Sequence, residues 1–113
     1  AIIVSNHGGR QLDQTSSTIS MLPKIVEAVK GKSAIWLDGG IRSGQDILKA
    51  VALGADNTLI GRAMSYGLAA NGISGCEKTL NILHTELDMT MALCGHKNLK
   101  EVDDSILKIE NDF

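Results

Sequence analysis

Aromatic side chains are nearly missing from this chain: Trp36, Tyr66 and Phe113 are the only three, 3% of 113 residues. That excludes an aromatic stacking platform for single-stranded nucleic acid. No apolar run approaches the roughly 18 residues of a membrane span. An excess of either charge is lacking too, since 11 Lys and Arg stand against 13 Asp and Glu, for a net charge of -2. Neither nucleic acid nor an anionic membrane surface is therefore indicated as a partner. Cysteine is scarce, and Cys76 and Cys94 stand far apart, without metal-ligand spacing. They read as two helix thiols in a reducing compartment. His84 and His96 lie among polar neighbours and read as surface residues. A charged leader is absent as well: Ala1 opens inside an apolar run, and the chain reads as cut.

What is present is the composition of a folded domain, 43% hydrophobic and 21% charged. Ala1 to Ser5 is a continuous β-branched run, which predicts a strand buried on both faces. Ser20 to Lys30 reads as a helix, with Ile19, Leu22, Ile25, Val26 and Val29 at helical spacing, Ser20 as cap and Gly31 as stop. Pro23 then falls in the first turn, where a missing N–H is tolerated. Ala34 to Leu37 predicts a second strand. Ser43 and Asp46 form a capping box for a helix that runs to about Leu53. Asn57 to Ile60 predicts a third strand. Ser74 and Glu77 read as another capping box, opening a helix with Leu80, Leu83, Leu87 and Met91 on one stripe and a stop at Gly95. Asn98 and Glu101 mark a last short helix, followed by a polar tail. Strands alternating with helices predict an α/β fold with a parallel sheet.

Ligands of such folds bind beyond the carboxyl ends of the strands. The three ends here carry Ser5-Asn6-His7-Gly8-Gly9-Arg10, Asp38-Gly39-Gly40-Ile41-Arg42 and Gly61-Arg62. Arg42 stands at a helix start, where the dipole disfavours a cation. Either Arg42 and Arg62 pair with acids such as Asp38 or Asp46, or they hold an anion. Two guanidiniums at adjacent glycine-rich strand ends favour a phosphate. His7 is a side chain that can take a proton near neutral pH, and Arg10 offers a planar pair of donors to a carboxylate. A base beside a carboxylate clamp suits proton removal from an α-substituted acid. A structural loop histidine and a surface pair of Arg10 with Asp13 are the alternatives. Asp13 itself reads as an orienter of the loop.

Ser5-Asn6-His7-Gly8-Gly9-Arg10-Gln11-Leu12-Asp13 resembles the active-site signature of the FMN-dependent α-hydroxy-acid oxidase and dehydrogenase family, which includes glycolate oxidase, lactate oxidase, L-lactate dehydrogenase and mandelate dehydrogenase. Asp38-Gly39-Gly40-Ile41-Arg42-Ser43-Gly44 and Gly61-Arg62 resemble its phosphate loops. Tyr66-Gly67-Leu68-Ala69-Ala70 and the Thr90-Met91-Ala92-Leu93 helix are similar to it too. The resemblance implies the C-terminal part, about strands six to eight, of a (β/α)8 barrel, a fold of roughly 250 residues when whole. Residues 1–113 would then be one portion of a single FMN-binding domain. His7 would be the catalytic base and touch the substrate, taking either its α-carbon proton or its hydroxyl proton. Arg10 would hold the substrate carboxylate. Ser5 would lie near the flavin ring, and Asp38, Gly39, Gly40, Ile41, Arg42, Gly61 and Arg62 would hold the ribityl and phosphate groups. No metal is implied.

The family's substrate-contacting tyrosines, its lysine near the flavin and the aspartate that orients the histidine come from earlier strands, and Asp13 does not replace that aspartate. The expected reaction is oxidation of a small L-2-hydroxy acid, L-lactate first, to the 2-oxo acid. Other phosphate-binding barrels, of the isopentenyl-diphosphate isomerase or inosine-monophosphate dehydrogenase kind, share the second motif but are not expected to carry the His7 and Arg10 loop. A non-catalytic remnant is the third alternative. The family implies a homo-oligomer, often a tetramer. Asn111-Asp112-Phe113 is not a peroxisomal tripeptide, so cytoplasm is the expected location, with peripheral attachment to an inner membrane as the variant.

Overall fold

The computed structural model describes residues 1–108; the tail that carries Asn111-Asp112-Phe113 lies outside them. Three parallel strands, β1 (Ile2–Val4), β2 (Ile35–Asp38) and β3 (Asn57–Leu59), form one sheet in the order β1-β2-β3. Ile2 lies opposite Ile35 and Val4 opposite Leu37, while Asp38 lies opposite Leu59. Helices α1 (Thr18–Val29) and α2 (Gly44–Ala52) make the crossovers, and α3 (Arg62–Leu93) follows β3. Parallel pairing puts the carboxyl ends of all three strands on one edge of the sheet, which gathers the three polar motifs.

The core lies between the sheet and its helices. Val4, Leu22, Ile35, Leu37, Ile41, Ala50 and Ala55 are buried together, with Ile19, Ile25, Val26, Val29 and Ile47 packed against them. Asp56 ties β3 to β2: its Oδ2 accepts from the Ile35 N–H at 2.7 Å, and its own N–H donates to the Ile35 carbonyl at 2.8 Å. Among the described residues only β2 has a neighbouring strand on each side. β1 is consequently not buried on both faces as its composition predicts: Ile2 is 41% and Ile3 52% exposed.

Helix α1 begins earlier than its apolar stripe indicates. Ser17, not Ser20, is its cap, with Ser17 Oγ accepting from the Ser20 N–H. The earlier start is held by Thr18, which is buried under the second loop. Pro23 therefore sits inside the helix and not in its first turn. It removes one helical N–H donor, a loss the buried Leu22 beside it offsets by packing. At the other end Lys30 is left-handed, with φ 50, and Gly31 follows with φ 73.

α2 starts as expected on a capping box: Ser43 Oγ accepts from the Asp46 N–H, and the Asp46 carboxylate accepts from the Ser43 N–H. α3 departs furthest from expectation. It begins directly at Arg62 and is broken at Asn71 and Gly72, where Gly72 has φ 56 and ψ -138. The break falls before Ser74, so the Ser74-Glu77 box does not open the helix. Across the break, Gly67 and Gly75 meet backbone to backbone; a Cβ on either would collide with the other. Of the stripe, Leu83 and Met91 are buried, whereas Leu80 is 50% exposed. Two 3-10 turns close the described chain, Leu99–Glu101 capped by Asn98 as expected, and Asp104–Ile106 capped by Asp103. Hydrogen bonds from Ser105 hold the Asp103 carboxyl below its usual range. No helix among the described residues is long and apolar enough to cross a membrane.

Candidate active site

The first loop turns on three consecutive left-handed residues, His7 (φ 54), Gly8 (φ 67) and Gly9 (φ 71). Two of them are glycines, for which this region carries no steric penalty; His7 has no such freedom and is held there by its surroundings. Asn6 provides the hold. Its Oδ1 accepts from the Gly9 N–H at 3.1 Å, and its Nδ2 donates to the Ser16 carbonyl at 3.4 Å. Ser5 Oγ accepts from the His7 N–H at 3.1 Å and donates to Asp38 Oδ2 at 2.6 Å. This short pair locks the end of β1 to the end of β2.

The second loop is shaped by Thr18 and two glycines. Thr18 Oγ1 donates to the Gly39 carbonyl at 3.5 Å. The carbonyl and the following N–H of a trans peptide point in opposite directions, so the Gly40 N–H faces away from Thr18. Gly39 and Gly40 have φ 113 and 81, which a side chain would resist. No atom lies within 4 Å of where a Cβ on Gly40 would stand. The third loop is Gly61, the cap of α3, which offers no side-chain acceptor to the first turn. Arg62 reaches back to the first loop, donating from a terminal guanidinium nitrogen to the Gly8 carbonyl at 3.3 Å.

Together the loops line a cleft of about 310 Å³ bounded by His7, Gly8, Arg10, Asp38, Gly39, Gly40, Ile41, Arg42, Gly61, Arg62 and Ser65. Of the residues singled out in the sequence, all but Ser5 border it. Ser5 stands behind, bordering a neighbouring hollow with Asn6 and Asp13, and acts through its bonds to Asp38 and His7. Ile41 borders the cleft and is buried with the core. Ser65 was not singled out. It lies on the first turn of α3, Oγ donating to the Gly61 carbonyl at 3.4 Å, and would be legible only to a reading that starts the helix at Arg62. Asp13 shows no part in orienting the loop; Asn6 has that role.

The choice between acid pairs and an anion is now narrower. Asp38 is engaged by Ser5, and Asp46 Oδ2 by the backbone N–H groups of Arg42 and Ser43 and by Ser43 Oγ. Among the described residues neither Arg42 nor Arg62 sits in an ion pair with them. Two guanidiniums without a carboxylate partner, an uncapped helix start and an open backbone at Gly40 form a cradle that fits a phosphate. The residues present thus fit the phosphate end of FMN. Among the described residues no cluster of three or more His, Cys, Asp or Glu could hold a metal.

Residues 1–109 match the protein family described as FMN-dependent dehydrogenase. An L-lactate oxidase of Nostoc sp. is 50% identical over 109 residues, which are 96% of this chain and 30% of that protein. The 2-hydroxyacid oxidase 1 of Homo sapiens is 50% identical over 107 residues, 95% of this chain and 29% of its own length. A crystal structure of mandelate oxidase with benzoyl-formic acid superimposes with a TM-score of 0.85 at 48% identity, over 88% of this chain and 30% of that one. The chain spans under a third of the length of the curated relatives it matches.

Proposed function

From a chain that belongs to the FMN-dependent dehydrogenase family, we infer the C-terminal portion of a flavoenzyme that oxidises a small L-2-hydroxy acid to the 2-oxo acid. Its strand-loop-helix order is that of a partial (β/α)8 barrel, and FMN is the family's cofactor. The single observation that carries the reading is the joining of His7 and Arg10 to the phosphate cradle in one cleft. Arg10 binds the substrate carboxylate through its paired donors and so orients the hydroxyl-bearing carbon. His7 takes a proton from the substrate. Asp38, Gly39, Gly40, Ile41, Arg42, Gly61 and Arg62 hold the ribityl chain and phosphate, and Ser65 joins them. Ser5 holds the Asp38 carboxylate beside the flavin. FMN, when bound, supplies the acceptor for the two electrons that leave the substrate.

L-Lactate is the proposed substrate, supported by the likeness to the Nostoc L-lactate oxidase. A homo-oligomer, a tetramer by family resemblance, in the cytoplasm or on the inner face of its membrane completes the proposal. The test is anaerobic mixing of the flavin-loaded full-length protein with L-lactate, glycolate and (S)-mandelate. Flavin absorbance should bleach, fastest with L-lactate. Bleaching fastest with another acid replaces the substrate; bleaching with none ends the reading.

A further inference from the structure

The two helix starts that face the cleft are treated in opposite ways. At α2, Asp46 Oδ2 accepts from the N–H groups of Arg42 and Ser43, both at 3.0 Å, and Ser43 Oγ accepts from the Asp46 N–H at 3.2 Å. A second carboxylate arrives from 42 residues along the chain: Glu86 Oε2, on α3, accepts from the Gly44 N–H at 2.8 Å. At this helix start the Gly44 N–H is thus taken by the Glu86 carboxylate and the Asp46 N–H by Ser43 Oγ, while Asp46 Oδ2 takes the two N–H groups just before the helix. At α3 the cap is Gly61, which brings no side-chain acceptor. The contact around Gly44 leaves no room for a side chain: a Cβ on it would collide with the Leu87 nitrogen and stand 2.5 Å from the Glu86 carbonyl carbon. At that spot the two backbones touch, and Glu86 is the side chain that binds them.

We propose that Glu86 is a positioning residue for the phosphate arm of the flavin site. Its carboxylate fills the anion position at the start of α2 and clamps the Arg42-Ser43-Gly44 segment to α3. Arg42 then addresses the phosphate from a fixed backbone, and the phosphate itself is directed to the open start of α3. Only Ser43 separates the clamp at Gly44 from Arg42, so a slack clamp would loosen the guanidinium without touching the flavin ring. This role rests on the reading of the cleft as the FMN phosphate site.

The experiment strips the full-length protein of flavin and measures the affinities for FMN and riboflavin, which differ only in the phosphate, alongside the melting temperature. Glu86→Ala should weaken FMN by about tenfold, the scale of one charge-assisted hydrogen bond, and leave riboflavin unchanged. Glu86→Gln keeps an oxygen acceptor for the Gly44 N–H and should retain most of the FMN affinity. If Glu86→Ala does not fold, Glu86→Asp, whose carboxylate is one methylene too short, supplies the same comparison. A lowered melting temperature with the wild-type preference for FMN intact overturns the positioning role, as does a Glu86→Gln variant as weak as Glu86→Ala. A wild-type protein with no preference for FMN over riboflavin overturns the phosphate reading of the cleft as well.

Discussion

His7 combines two demands that seldom coincide, an imidazole at the mouth of the cleft and a backbone with φ 54. The flanking glycines and the Asn6 bonds meet the second demand, which leaves the ring available for the proton transfer proposed for it. His7→Gln should therefore leave FMN binding unchanged and slow substrate oxidation by about 10²- to 10⁴-fold, read as the rate of anaerobic flavin bleaching in the full-length protein. Arg10→Lys retains the charge but loses the planar pair of donors; a rise in KM for the hydroxy acid larger than the fall in kcat is the expected signature. At this scale the convergence of the three motifs was legible, because strand ends on one sheet edge must converge, while the roles of their residues followed from the resemblance. Ser5 was displaced from the cleft wall because a hydroxyl at the end of β1 finds the Asp38 carboxylate 2.6 Å away. Ser65 was overlooked because nothing local announces the helix that carries it.

Element boundaries were legible where the signal is local and hidden where it is tertiary. The Ser43-Asp46 box lies within four residues and was found; Asp46→Ala should cost about 1 kcal/mol or somewhat more, measured by urea denaturation, because Asp46 Oδ2 also holds the Arg42 N–H. The start of α1 depends on Thr18 meeting Gly39 across the fold, so its cap at Ser17, in place of the expected Ser20, could not be found from neighbours alone. The first part of α3 has no side-chain cap, contains Gly67 and ends at Gly72, features that weaken every helix signal. Its helicity comes from packing against the later part of the same element through Gly67 and Gly75.

Among the described residues, three strands leave β1 and β3 each with one unpaired edge, and Ile2 and Ile3 are exposed at β1. Such an edge invites pairing with another chain. Residues 1–113 prepared alone should bind FMN far more weakly than the full-length protein, and light scattering should show association that grows with concentration. A monomeric piece that retains flavin through gel filtration would contradict this. The parallel sheet was legible from the alternation of elements. The exposure of β1 was not, because a run such as Ile2-Ile3-Val4 records the surroundings of the strand and not the number of strands in the piece.

The glycines that pass through α3 have a consequence for how this chain can drift over generations. Gly75 is barred to every side chain by the Gly67 backbone, whereas a methyl group on Gly61 would meet no atom within 4 Å. Packing bars a side chain at the first position, and only the ligand proposed for the cleft would bar one at the second. In a library of variants, Gly75→Ala should disappear from the soluble fraction. Gly61→Ala should persist there with an unchanged melting temperature and be lost only when growth depends on oxidation of the hydroxy acid. Two glycines of one segment would then be preserved by separate pressures, and a lineage that abandoned the chemistry would shed one while retaining the other.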